Sequence, residues 1–310
     1  MPGRDTDRVI DIPGPWQHRY VAANGARFHV AESTPPAVAS APLVLLLHGF
    51  PEFWWSWRDQ LPALAGAGYR AAAMDLRGYG GSDKPPRGYD PVTLARDVAG
   101  VIKSLGERSA IVVGHGWGGY VGWATTALHP REVTGLCSVS APHPRAMLQN
   151  LRARRRAGAL SHLLAMQVPI VPERKLMDPN SGFLRSHMQG WSAPGSNFPE
   201  DETLARYQAA LSLWPAPHCA LEYHRWLVRS RLRTDGRRFN RLMAKPISQP
   251  VCTIYGAADP TLPTSSMDRS EAHVIGAFRR HDMQGVGHFP PEEEPAAFNE
   301  LLIRWLDSLG

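Results

Sequence analysis

Four apolar residues, Ala110-Ile-Val-Val113, run straight into Gly114-His115-Gly116-Trp117-Gly118-Gly119 and then into a helical stretch ending near His129. That succession of strand, glycine-rich turn and helix constrains the fold more than any other feature of the chain. Small residues two before and two after position 116 allow a sharp reversal, which lifts the central residue above the end of a sheet. The amide of the next residue then opens a helix, where unpaired N–H groups favour developing negative charge. A phosphate-binding loop is the rival reading, but the Gly-Lys-Ser/Thr continuation of such loops is missing.

Strand and helix patterns alternate around this turn, as they do in a mostly parallel sheet. Residues 19–31 predict a hairpin about Asn24-Gly25. Residues 42–47 predict a buried strand from their unbroken apolar run. Helices are expected at 54–65 and at 92–105, the second opened by Asp90-Pro91, and strands at 69–74 and 133–139. From 143 to 248 the chain shows helical patches broken by Pro, Gly and Trp, with no convincing strand. Strand patterns resume at 250–255 and 279–283, and a last helix is expected over 292–309. The fold class is therefore α/β, with a core built from 1–142 and 249–310. The segment 143–248 is inserted into that core as a helical cap. Such a cap would cover the carboxyl ends of the strands, where open α/β sheets bind ligands.

Two further residues fall at strand ends. Asp259 follows the 250–255 strand in Gly256-Ala-Ala-Asp259-Pro260, and His288 lies in Gly285-Val-Gly287-His288-Phe289 before the last helix. Elbow, acid and histidine occur in the chain order of a hydrolase triad. The acid would fix the imidazole tautomer, and the imidazole would act as general base. Upstream, His48-Gly49-Phe50-Pro51-Glu52 closes the 42–47 strand. The Phe50 and Trp117 amides are the candidate oxyanion donors.

At this point a resemblance becomes specific. The stretches from His48 to Trp57 (HGFPEFWWSW) and from Asp75 to Pro85 (DLRGYGGSDKP) are similar to the epoxide hydrolase family, as are the Gly-His-x-Trp-Gly-Gly elbow and Gly287-His288-Phe289. The likeness runs from about Trp16 to Leu306 and is greatest to the actinobacterial-type members. It implies an α/β-hydrolase core under a helical cap, with an aspartate nucleophile, two cap tyrosines on the epoxide oxygen, a His–Asp pair that hydrolyses the ester, and a cis Phe50–Pro51 bond. Haloalkane dehalogenases share the elbow, but their asparagine after His-Gly is Phe50 here. Two positions depart from the family. Gly116 stands where the aspartate is expected and leaves the nucleophile position without a side chain. In the cap, Glu222-Tyr223-His224-Arg225 places His224 where a tyrosine is expected. Tyr207, Tyr223 and His224 are the candidate cap residues for substrate.

Composition narrows the function. The chain of 310 residues is 43% hydrophobic, enough for a packed core. No apolar run approaches the ~18 residues of a transmembrane helix, and the first residues lack a signal-peptide core. Cys137, Cys219 and Cys252 have no ligand spacing, which points to reduced thiols, a cytoplasmic setting and no metal or other cofactor. The net charge of +6 is mostly arginine; the Arg152-Ala-Arg154-Arg155-Arg156 run lacks interleaved aromatics, so nucleic acid is not an expected partner. The expected ligand is a hydrophobic small molecule, in keeping with a mouth rich in tryptophan (Trp54, Trp55, Trp57, Trp117). Two other functions remain open: a binding or interaction protein without catalysis, and a lyase or oxygenase that uses the dyad alone.

Overall fold

The strands are β1 (Gln17–Ala23), β2 (Ala26–Ser33), β3 (Leu43–Leu47), β4 (Arg70–Met74), β5 (Ala110–His115), β6 (Val133–Val139), β7 (Val251–Gly256) and β8 (Phe278–Met283). They form one sheet in the order β1-β2-β4-β3-β5-β6-β7-β8 in the computed structural model, which describes residues 9–35, 41–153, 161–261 and 264–310. The arginines 154–156 lie outside the described residues. β1, β2 and β4 pair antiparallel, and every pairing from β4 through β3 to β8 is parallel. Val44 to Leu47 of β3 are fully shielded from solvent, as a central parallel strand with both faces covered must be. Each such leucine contributes about 1.5–3 kcal/mol by leaving water.

Local chemistry sets the element ends. Asn24 and Gly25 both have positive φ, and the β1–β2 ladder closes on Ala23 and Ala26, the geometry of a two-residue hairpin. Asp90 caps the helix Pro91–Ser104 by accepting from the Val92 and Thr93 amides at 3.1 and 3.0 Å. The sequence expectation fails in two places. The 54–65 helix divides into a 3₁₀ turn, Trp54–Trp57, and a helix, Gln60–Gly66. The last helix is also divided: Pro290–Glu293 stops at Glu294 (φ −140°, ψ 65°), and Pro295–Asp307 starts afresh. A residue before proline is pushed out of the helical region, and Pro295 does this to Glu294.

Between β6 and β7 the described residues form helices and no strand, among them Phe183–Trp191, Asp201–Leu211 and Ala216–Arg229. His187 and Trp191 of the first and His224 of the third meet side chains at the carboxyl ends of the sheet strands. No helix among the described residues is long and apolar enough to cross a membrane.

The tryptophan mouth needs correction. Trp54 and Trp57 are fully buried, Trp54 among Trp16, Trp55 and His18 with its indole N–H on the Ile10 carbonyl, and Trp57 against Phe298. They fill the core beneath the loop. Trp55 is half-buried under the guanidinium groups of Arg58 and Arg206. Trp117 alone of the four reaches His224.

Candidate active site

The turn after β5 is built of close approaches. A side chain at Gly118 would collide with the Leu47 carbonyl, so only glycine lets this helix start against β3. Gly116 sits at φ 53°, ψ −115°, outside the regions open to ordinary residues. A Cβ at 116 would nevertheless find space, 3.5 Å from Gly49 Cα and 3.7 Å from His288 Nε2. Gly114, Gly116 and Gly119 also meet the dinucleotide-loop spacing, but the Gly116 amide is spent on the Val139 carbonyl at 3.0 Å and does not face a ligand.

His288 Nδ1 lies 2.7 Å from Asp259 Oδ2. The other carboxylate oxygen accepts from the Thr261 amide at 2.7 Å and its hydroxyl at 2.6 Å, and that hydroxyl is 3.1 Å from His288 Nδ1. Burial would raise the Asp259 pKa; the facing imidazole and the Thr261 donors outweigh it and hold the carboxyl below its usual range. With Nδ1–H committed to a carboxylate, Nε2 presents its lone pair towards residue 116. Sequence reading missed Thr261, although a threonine two residues after an aspartate in a Pro turn is an Asx-turn signature.

Other groups hold the histidine loop. The Glu293 carboxylate accepts from the Gly287 and Phe289 amides at 3.0 Å each and from Ala193 at 2.8 Å, tying the loop to the end of the Phe183–Trp191 helix. The His288 amide donates to the Trp191 carbonyl at 2.8 Å, and the Trp191 ring meets the imidazole edge-on at 5.0 Å. Below the elbow, His115 places Nδ1 2.9 Å from Glu52 Oε2 and Nε2 2.8 Å from the His288 carbonyl. Both partners are acceptors, so the imidazolium satisfies them. Burial would lower the His115 pKa and raise that of Glu52, but their mutual attraction reverses both directions.

The Phe50–Pro51 bond is cis, as the resemblance implies. Among the described residues neither the Phe50 nor the Trp117 amide donates to a protein acceptor. His224 packs edge-on to Phe50 and Trp117, and its Nε2 accepts the Trp117 indole N–H at 3.1 Å. The ring proton is therefore on Nδ1, 3.3 Å from the Ala220 carbonyl. Burial drives the His224 pKa down to about 3, so the ring is neutral and offers no donor at Nε2.

Tyr207 and Tyr223, expected from the sequence to meet substrate, are engaged elsewhere. Tyr207 donates to Glu292 Oε1 at 2.6 Å, on the carboxylate that Arg58 also holds at 2.6 Å. Tyr223 donates to the Arg77 carbonyl at 2.7 Å. Neither hydroxyl bonds to the Asp259–His288 cluster. Burial raises the Glu292 pKa to about 7, so replacing Tyr207 by Phe should cost about 1–3 kcal/mol of stability, the value of a buried acceptor that loses its donor. Turnover should change by less than about threefold, well short of a lost catalytic acid. Thermal unfolding and steady-state kinetics of the variant check both, and a kcat loss with an unchanged melting temperature would return Tyr207 to substrate chemistry.

A sharp strand-to-helix elbow after β5, an acid after β7 and a histidine after β8, on a mostly parallel sheet flanked by helices, define the α/β-hydrolase class. The alpha/beta hydrolase fold family matches residues 42–295, and the chain belongs to it. Its similarity is to epoxide hydrolases: Epoxide hydrolase A of Mycobacterium tuberculosis is 33% identical over 333 residues, spanning 99% of each chain. Among solved structures, Epoxide Hydrolase A from Mycobacterium thermoresistibile superposes with a TM-score of 0.83 at 28% identity, covering 94% of this chain and 98% of that one. An epoxide hydrolase from an endophytic Streptomyces gives 0.80 at 30% identity, with 96% and 97% covered.

Proposed function

We propose that this chain is an epoxide hydrolase-like hydrolase of small hydrophobic molecules in which the Asp259–His288 dyad activates water directly, the covalent route being closed because residue 116 has no side chain. One observation carries the reading. His288 Nε2 lies 3.7 Å from where a Cβ of residue 116 would be, with Nδ1 anchored 2.7 Å from Asp259. A general base is thus supported beside a position that cannot itself attack. Water beside Nε2 gives its proton to His288 while its oxygen bonds to the electrophilic carbon. The carbon–oxygen bond of an epoxide breaks, or an ester carbonyl becomes tetrahedral, and the Phe50 and Trp117 amides face the oxygen that gains charge. The proton on His288 then passes to the leaving oxygen, giving a diol or an acid and an alcohol. The segment 143–248 serves as the cap, closing His187, Trp191 and His224 over the substrate.

A second reading, a binding protein on this scaffold, is favoured by His224, which offers no acid where the family resemblance implies a tyrosine. Turnover of a panel of epoxides and esters by wild type and His288→Ala, in H₂¹⁸O, separates the two. The hydrolase reading expects solvent ¹⁸O in product and a loss of at least about 10³-fold without the histidine. Ligand binding with no turnover, or turnover indifferent to His288→Ala, would sink it.

A further inference from the structure

Outside the hydrolase site, the hairpin edge of the sheet holds a second cluster. His18 on β1 and His29 on β2 lie on the same face, since Tyr20, two residues from His18, is paired directly with His29. His18 Nδ1 faces His29 Nε2 at 3.0 Å, and Asp11 Oδ1 lies 3.9 and 3.6 Å from these two nitrogens.

Tautomers decide what the cluster wants. The Asp75 carboxylate accepts from the Trp54 amide at 2.8 Å through Oδ1 and from the Gly81 amide at 2.8 Å through Oδ2. Both of its oxygens thus act as acceptors. His29 Nδ1, 2.9 Å from Asp75 Oδ2, must donate to it. His18 Nε2, 2.9 Å from the Ile12 carbonyl, must likewise donate. In neutral rings both protons are then spent on outer partners, and the inner nitrogens turn lone pairs towards each other. Asp11 Oδ1 is buried without a hydrogen-bond partner and adds a third acceptor. Three acceptors converge with no donor among them.

We propose that Asp11, His18 and His29 form a binding site for a zinc ion or another borderline first-row divalent cation. Ligand atoms about 2.0–2.1 Å from a tetrahedral ion lie roughly 3.3–3.4 Å apart. The three observed separations, 3.0, 3.6 and 3.9 Å, bracket that value. Each histidine already donates its outer N–H to a carboxylate or a carbonyl, the arrangement that orients metal-bound imidazole. Three protein ligands leave a fourth position for water. A shared proton is the competing occupant, and the zinc titration below separates the two. Cysteine spacing gave no hint of this site, because its ligands meet across a hairpin and a chain reversal. The bound ion would cross-link the segment before β1 to the β1–β2 edge and, through Asp75, to the loop after β4.

The test uses the full chain stripped with chelator and titrated with zinc chloride, read by calorimetry, metal analysis and thermal unfolding. One zinc per chain should bind and raise the melting temperature by a few degrees. Asp11→Asn and His18→Gln, on partly exposed side chains, should each weaken binding by more than the ~10–100-fold typical of lost outer partners. X-ray absorption of the zinc-loaded wild type, which needs no variant to fold, should show two imidazole nitrogens and a carboxylate oxygen at about 2.0 Å. No zinc uptake by the wild type, uptake unchanged in both variants, or an absorption spectrum without imidazole would each overturn the site.

Discussion

Gly116→Asp should give a protein that opens epoxides through a covalent ester at residue 116, with turnover at least about 10³-fold above wild type. Loss of a nucleophile costs a triad hydrolase ~10⁶ in rate, so a large part of that interval is open to recovery. Space is not the obstacle, because a Cβ at 116 meets Gly49 Cα at 3.5 Å and His288 Nε2 at 3.7 Å, ordinary contacts. The base that must later hydrolyse the ester is beside it. Strain is the cost: φ of 53° with ψ of −115° suits glycine, and an aspartate held there should destabilise the fold by about 1–3 kcal/mol. In Gly116→Asp with His288→Ala the ester should accumulate, visible as an intact-mass increase equal to the epoxide. A folded Gly116→Asp protein with neither adduct nor turnover would refute this account of position 116. An adduct that forms slowly would instead locate the deficit at His224, which has no donor for the opening oxygen, and adding His224→Tyr should then speed its formation.

What the sequence discloses follows from the range of the interactions. The β1–β2 hairpin, β3, and the turn after β5 are written in runs of a few residues, through Asn-Gly, an unbroken aliphatic stretch and spaced glycines. The candidate site divides along the same line. Asp259 and His288 stand out because each follows a strand pattern in a short polar or glycine-rich turn. Their supports do not. Glu293 accepting from the Ala193 amide, Glu52 against His115, and the Trp191 carbonyl on the His288 amide are contacts between segments with no local signature. Trp54 and Trp57 show the opposite error: a tryptophan-rich stretch after a site motif suggests a mouth, yet packing against Trp16 and Phe298 buries both. Tyr207 and Tyr223 are equally ambiguous from sequence, since only the Glu292 carboxylate and the Arg77 carbonyl reveal where their hydroxyls go.

Asp259→Asn should reduce whatever hydrolysis the wild type performs by ~10⁴-fold while leaving the fold in place, the scale seen when a triad acid becomes an amide. The reason is tautomeric. Asp259 Oδ2, 2.7 Å from His288 Nδ1, accepts its proton and keeps Nε2 basic. The Thr261 amide and hydroxyl hold the other oxygen, so an asparagine would keep its carbonyl on Thr261 and turn its NH₂ towards Nδ1. The imidazole must then protonate at Nε2, where it can no longer take a proton from water. Stability should register the same change in charge. The Asp259 pKa is depressed in the folded protein, so its contribution is fully present above the unfolded value of about 3.9 and is lost as pH falls through the folded one. The wild type should therefore be the more stable protein near neutrality, and the gap to Asp259→Asn should close in acid. Denaturant unfolding across that range, alongside kcat, tests both halves. Activity within tenfold of wild type would remove Asp259 from the mechanism, and a stability gap that persists unchanged at low pH would show that the carboxylate charge is not what stabilises the fold.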